Sequence, residues 1–299
     1  MHKIPLIQIL YPGSCNIDNK ILEQAIGFLQ NRGFKINHEP EIIKSNGTQW
    51  PEISLPLEVR INQFINALLC KKTDIILCAK GGYGTSNLLS QIPWDKIKRL
   101  KPKWLVGFSD ISALHSAFYT KLNWQSLHAP MPGTKWWAKS SNEDINNLAT
   151  LLNTSEKKGS LSLNILRKPK DHSHNNINGK IFGGCLSVLC HLIGTPFFPK
   201  SFIDTIVFVE DTQETPQKIL RYWVQLKQCK ILEQASAIIL ANFEGLTTNE
   251  SQKIKKKMAA MTETPVYSCE QIGHCSPNLP IVIGAKGKIS DANLYWVNK

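Results

Sequence analysis

Apolar residues fall in short runs separated by amphipathic stretches. Ile4 to Leu10 is broken only by Gln8, and Tyr11-Pro12-Gly13-Ser14 follows with turn residues. That predicts a strand ending in a turn. Asp18 is placed to cap a helix from Asn19 to about Gln30, which Asn31-Arg32-Gly33 ends. Between Glu58 and Cys70, Ile61, Phe64, Ile65, Leu68 and Leu69 recur at helical spacing. Asp74 to Ala79 reads as a buried strand running into Gly81-Gly82-Tyr83-Gly84, and Trp104 to Phe108 as another. Ser109 to Tyr119 then reads as a helix with Ile111, Leu114, Ala117 and Phe118 on one face. Strand alternating with helix predicts a parallel sheet covered on both faces.

The middle is polar, with a helix-like stretch from Asn142 to Leu152 and a polar loop from Lys168 to Asn178. The pattern then restarts. Phe182-Gly183-Gly184 reads as the opening of a helix, Cys185 to Ile193, closed by Gly194-Thr195-Pro196. Thr205 to Val209 is an apolar strand ending in Glu210-Asp211, and Pro216 to Leu226 is amphipathic. Ala237 to Leu240 reads as a strand and Ser251 to Met261 as a helix. Ile281 to Ala285 and Ser290 to Trp296 read as closing strands. The second half is therefore mixed, with more antiparallel content, and no internal repeat stands out. At 299 residues the chain has room for two domains. A boundary is expected within residues 140–165, giving an N-terminal α/β domain over 1–150 and a smaller mixed domain over 165–299.

Composition narrows the class. Hydrophobic residues make 42% and charged residues 19%, which excludes wholesale disorder. No apolar run reaches the roughly 18 residues of a membrane helix. The first run is too short for a signal-peptide core, so a soluble cytoplasmic protein is expected. The net charge of +12 matches an abundance of lysine, and Lys253, Lys255, Lys256 and Lys257 are expected on a solvated helix face. Aromatic residues do not interleave with basic ones, so no nucleic-acid partner is expected. The eight cysteines show no C-x-x-C spacing and read as free, mostly buried thiols. Asp171-His172-Ser173-His174 lies in a polar, Asn-rich stretch and only superficially resembles a metal site.

Four local signals carry chemistry. In Val106-Gly107-Phe108-Ser109-Asp110-Ile111, a serine stands between a buried strand and a helix. A sharp turn there exposes the hydroxyl and aims the following N–H groups, the logic of a nucleophile elbow. A helix-capping serine is the structural alternative. Lys80-Gly81-Gly82-Tyr83-Gly84 follows a strand without matching a dinucleotide fingerprint; its backbone suits an anion or oxyanion, or is a plain turn. Glu210 ends a buried strand, where a carboxylate is paired or functional. His274 stands in Gly273-His274-Cys275, in a loop where a lone histidine is ordinarily exposed. Serine, glutamate and histidine at strand ends and loop mouths are what a Ser-His-Glu hydrolase needs.

These residues, with Leu114-His115, Gly183-Gly184-Cys185-Leu186-Ser187, Gly194-Thr195-Pro196, Val209-Glu210-Asp211 and Pro280 to Ala285, resemble the LD-carboxypeptidases, serine peptidases also called muramoyltetrapeptide carboxypeptidases. The resemblance covers nearly the whole chain. It implies an N-terminal parallel-sheet, three-layer α/β domain joined to a smaller mixed α/β domain, commonly as a homodimer, with the cleft between them. It implies removal of terminal D-alanine from muropeptides, across an L,D bond, in cell-wall recycling. Ser109 is then the nucleophile, His274 the base and Glu210 its orienting carboxylate. The N–H of Asp110 and one from Gly81 or Gly82 form the oxyanion hole, and Lys80 faces substrate. No metal or organic cofactor and no membrane partner is implied. The family usually has Arg at Lys80, often Tyr at Phe108 and Asn at Cys185, which bears on substrate detail. The nearest alternative is a microcin-C-type immunity peptidase acting on peptidyl or aminoacyl nucleotides, whose chains tend to be longer. Alternatives of other classes are a non-catalytic small-ligand binding protein and a basic nucleic-acid binder.

Overall fold

The computed structural model describes residues 4–39, 54–153, 157–168 and 176–298. Two sheets carry the fold. The first contains β1 (Leu6–Leu10), β2 (Lys35–Asn37), β3 (Ile75–Cys78), β4 (Trp104–Gly107) and β5 (Ser126–His128), all parallel, in the order β5-β4-β3-β1-β2. The residues of β3 are all buried and those of β4 nearly so, because helices cover both faces. Asp18 caps the helix Asn19–Gln30 by accepting from the N–H groups of Lys20 and Ile21.

The second sheet contains β6 (Lys157–Ser162), β7 (Asn164–Arg167), β8 (Asn176–Cys185), β9 (Thr205–Thr212), β10 (Ala237–Glu244) and β11 (Val266–Ser268). Strands β8 to β11 run parallel. β7 closes one side antiparallel. The other side is closed by β13 (Lys286–Ser290), β14 (Asn293–Asn298) and β6, giving the order β6-β14-β13-β8-β9-β10-β11-β7. The mixed, partly antiparallel character expected of the second half is present.

Between these elements the chain returns to the first sheet. β12 (Ile281–Ile283) pairs antiparallel with β5, placing Ile281 opposite His128. All three residues of β12 are buried. The two sheets therefore share a strand-level connection beside the site.

Three local expectations are corrected. Phe182-Gly183-Gly184 continues β8 through Cys185, and the helix is Leu186–Leu192. Gly183 lies against β9, where a Cβ would sit 2.0 Å from the carbonyl oxygen of Phe208. The glycines there permit close backbone approach within the sheet. The Ser109-to-Tyr119 segment is a succession of a 3₁₀ turn (Ser109–Ile111), an α-helix (Ser112–Ala117) and a π turn (Phe118–Leu122). Lys255 is not solvated. Its side chain is buried, pairs with Glu270 and lies 5.6 Å from the ring centre of Phe243. Asp171 to His174 fall outside the described residues. No helix among the described residues is long and apolar enough to cross a membrane.

Candidate active site

β4 is buried up to Gly107, Phe108 is extended, and Ser109 then takes φ 65°. That left-handed conformation is strained for a residue with a side chain, by roughly 1–2 kcal/mol. No side chain caps this turn, so the capping alternative for Ser109 is not met. The turn is held from below. Thr85 donates its N–H to Asp110 Oδ2 (2.9 Å) and its hydroxyl to the Asp110 carbonyl (2.6 Å). The buried Asp110 carboxyl is pushed up by its surroundings, with Thr85 and Arg60 pulling it back. Its side chain thus anchors the glycine-rich loop, and its N–H is left for other use. Arg60, also buried, donates to the carbonyls of Leu55 (2.9 Å), Pro12 (3.0 Å) and Gly84 (2.9 Å).

Gly81 presses on the elbow. A Cβ there would lie 3.0 Å from Ser109 Cβ and 3.1 Å from the Asp110 nitrogen. The Gly81 carbonyl accepts from Ser14 N–H at 2.8 Å. Lys80 reaches over the same loop, and its Nζ donates to the carbonyl (2.8 Å) and Oδ1 (2.9 Å) of Asn16.

Glu210 is the sixth residue of β9 and is fully buried. Its Oε2 accepts from His274 Nδ1 at 2.7 Å. Burial works to raise the carboxyl, but His274 and His128 beside it hold it down at about 2. Burial likewise works to lower His274, but Glu210, with Asp211 and Glu244, raises it above its ordinary 6.5. Contrary to the expectation for a lone loop histidine, His274 is 7% exposed. Its loop is pinned by Asn242 Nδ2 donating to the His274 carbonyl (2.8 Å) and by Gly273 N–H donating to Asn278 Oδ1 (2.9 Å).

The structure brings Glu210 and His274 into direct contact. Phe108, the residue before Ser109, packs on this pair: its ring centre lies 4.7 Å from that of His274. The Ser109 hydroxyl makes no hydrogen bond to the imidazole here, a contact that commonly tightens only around substrate. Trp136 stands edge-on to His274 at 6.1 Å. Asp211 backs the site by accepting from Ser187 N–H (2.8 Å), Ser187 Oγ (3.1 Å) and Thr212 N–H (2.9 Å). Burial and the adjacent Glu210 push its carboxyl up to about 6.

The neighbouring thiols are not poised as nucleophiles. Burial, with Asp211 and Glu210 nearby, raises Cys185 well above the ordinary thiol range, and burial does the same to Cys275. Among the described residues no group of His, Cys, Asp and Glu is arranged to hold a metal ion.

Sequence patterns run across the whole arrangement. The LD-carboxypeptidase N-terminal domain pattern matches residues 7–129, and the C-terminal domain pattern matches residues 178–289. The chain belongs to the LD-carboxypeptidase family. It is 26% identical over 246 residues to the murein tetrapeptide carboxypeptidase of Pseudomonas aeruginosa, covering 80% of each chain. The crystal structure of muramoyltetrapeptide carboxypeptidase from Oxalobacter formigenes superposes with a TM-score of 0.79 at 22% identity, over 98% of both chains. An MccF-like protein from Bacillus anthracis superposes with a TM-score of 0.85 at 20% identity, over 100% of this chain and 98% of that one. As a member of this family the chain is a peptidase and hydrolase.

Arg60, Trp136, Asn242 and His128 carry no local sequence signal that marks them for the site; His128 merely closes the short run Ser126-Leu127-His128.

Gly273 supplies a test of how tightly the pair is held. It sits at φ +97°, and a Cβ would lie 2.5 Å from Glu210 Oε2 and 2.6 Å from its Cγ. Gly273→Ala is expected to cost about 2–4 kcal/mol in a denaturant titration, from left-handed strain plus overpacking. An unchanged midpoint would mean that the loop yields freely.

Proposed function

We propose that the protein is a serine carboxypeptidase that releases terminal D-alanine from peptidoglycan tetrapeptides by hydrolysing an L,D bond. The observations that support this reading are a strained, left-handed Ser109 and a buried Glu210–His274 pair against which the preceding Phe108 packs. The name of the Pseudomonas aeruginosa relative supports the substrate class. The setting we infer from the resemblance is cell-wall recycling in the cytoplasm.

In this mechanism Ser109 Oγ attacks the scissile carbonyl carbon while His274 Nε2 takes its proton. Glu210 holds His274 by Nδ1, fixes the tautomer that leaves Nε2 free to accept, and stabilises the imidazolium that forms. The tetrahedral oxyanion is met by backbone N–H groups of Asp110 and of Gly81 or Gly82. None of these donates to another group among the described residues. His274 then returns the proton to the departing D-alanine amine, and the acyl-enzyme remains on Ser109. Water, deprotonated by His274, attacks the ester carbonyl, and His274 returns that proton to Ser109 Oγ as the shortened peptide leaves with a free carboxylate. Lys80, partly tethered by Asn16, supplies positive charge for a substrate carboxylate.

The base must be neutral to act, so kcat/KM is expected to fall as pH drops through the apparent pKa of His274. Because that value is raised, the acid limb belongs above 6.5. Glu210 stays ionised down to about pH 2 and does not set the limb. Asp211, pushed up to about 6, helps raise His274, so in Asp211→Asn the limb should persist but move to somewhat lower pH. A limb lying below 6.5, or one abolished by Asp211→Asn, contradicts the assignment.

The reading is tested by incubating the protein with muramyl tetrapeptide, with its isomer ending in L-alanine, and with an aminoacyl nucleotide, followed by mass spectrometry. Release of alanine from the D-terminated peptide alone is expected. Cleavage of the nucleotide conjugate alone would replace this reading with an immunity-peptidase activity. Binding without turnover of any would replace it with a ligand-binding role.

A further inference from the structure

Glu210 has two oxygens, and the mechanism above uses one. Oε2 binds His274, while Oε1 makes no hydrogen bond and is fully enclosed. What faces Oε1 is His128 Nε2, at 3.7 Å. His128 is itself fully buried, and both its ring nitrogens also lack hydrogen-bond partners. Buried polar atoms left unserved are costly, so two facing each other across an ion-pair distance are a matched set. A relative shift of about 0.8 Å would bring them to hydrogen-bond length.

Among the described residues no other group competes for that nitrogen. His115 lies 6.5 Å away ring to ring, but its Nε2 is spent on the Gly107 carbonyl (2.9 Å) and its Nδ1 on Ser126 Oγ (2.8 Å). The His128 ring is otherwise walled by Phe108 and Phe208, at 5.7 and 5.2 Å. Around Glu210 the remaining titratable groups are His274, Asp211, Cys185 and Cys275.

The placement links the two sheets. His128 sits on β5, opposite Gly107 of the nucleophile strand, whereas Glu210 sits on β9. Phe108, which precedes Ser109, stands against both His128 and His274. We propose that His128 is a positioning residue: from the first sheet, its Nε2–H grips the free oxygen of Glu210 and so sets the carboxylate, and through it His274, against Ser109. This rests on the hydrolase reading given above.

The test uses the full chain, and its two readouts separate this proposal from that reading. The first needs no substrate: side-chain ¹⁵N NMR assigns the protonated nitrogen of His128 in the wild type. A proton on Nε2, with a resonance that moves in Glu210→Gln, is expected. A proton on Nδ1 alone would turn a lone pair toward the carboxylate and overturn the proposal, whether or not tetrapeptide is cleaved. The second readout is kinetic. His128→Leu should lower kcat about 10- to 100-fold with KM within about twofold. The carboxylate that loses its donor binds His274⁺ more strongly, so the acid limb should move to higher pH. His128→Gln, which restores a donor, should recover much of the rate and return the limb. A His128→Leu protein with wild-type kcat and an unmoved limb overturns the proposal. If that variant does not fold, the tautomer measurement decides. A wild type that leaves the tetrapeptide intact overturns the hydrolase reading, and the NMR result still stands for or against His128.

Discussion

Replacing Ser109 with alanine is expected to lower the rate of D-alanine release by about 10⁴-fold or more, with little change in KM. The nucleophilic oxygen is lost, while the backbone donors and the cleft stay. His274→Ala should cost a similar amount. The double variant should be scarcely worse than either single one, because nucleophile and base act as one unit. Each rate is measured by quantifying free D-alanine under saturating tetrapeptide. Losses that multiply would mean that the two residues act independently. The folded state should survive, since Ser109→Ala removes only a hydroxyl from a half-buried turn.

Glu210→Gln is the second large effect. The amide keeps the volume of the carboxylate but offers a neutral group to His274 Nδ1, now 2.7 Å from Oε2. The imidazolium formed on proton transfer loses its counter-charge, and the amide can present its NH₂ and impose the wrong tautomer. A fall in kcat of about 10³–10⁴-fold is expected. The acid limb should also move down, because the carboxylate is what raises His274. A variant with near-wild-type kcat would make Glu210 structural. The pair also contributes to stability, with opposite signs for its two members. Glu210 is depressed to about 2, so its contribution is present above 4.5 and is lost as pH falls toward 2. His274 is raised, so its contribution is full below 6.5 and is lost as pH rises through its folded value.

The parts of this site legible in the sequence are those whose signal is local. Ser109 was readable because an apolar strand meets a helix within a few residues, and a chain making that turn takes strain at the junction. Glu210 was readable because a carboxylate at the end of five apolar or β-branched residues has nowhere polar to go by itself. The parallel sheets followed from continuous apolar runs alternating with amphipathic ones. What escaped was non-local. Ile281 to Ile283 reads as any closing strand, and nothing in its side chains says that it pairs with β5. His128 is three residues into a short run, and its value lies in facing a residue 82 positions later. Gly183 and Gly184 look like helix punctuation, yet they serve close packing against β9 and Ser112. Lys255 looked solvated because its three lysine neighbours are, whereas one turn of the helix points it at Glu270.

The central claim is that Ser109 carries the acyl group. It is tested most directly by a fluorophosphonate, which a reactive serine attacks at phosphorus, expelling fluoride. Peptide mass spectrometry locates the adduct, and residual D-alanine release is followed as labelling proceeds. The account predicts one adduct, on Ser109, slowed by excess tetrapeptide, with activity lost in proportion to the labelled fraction. Undiminished release of D-alanine by protein fully labelled at Ser109 would contradict it.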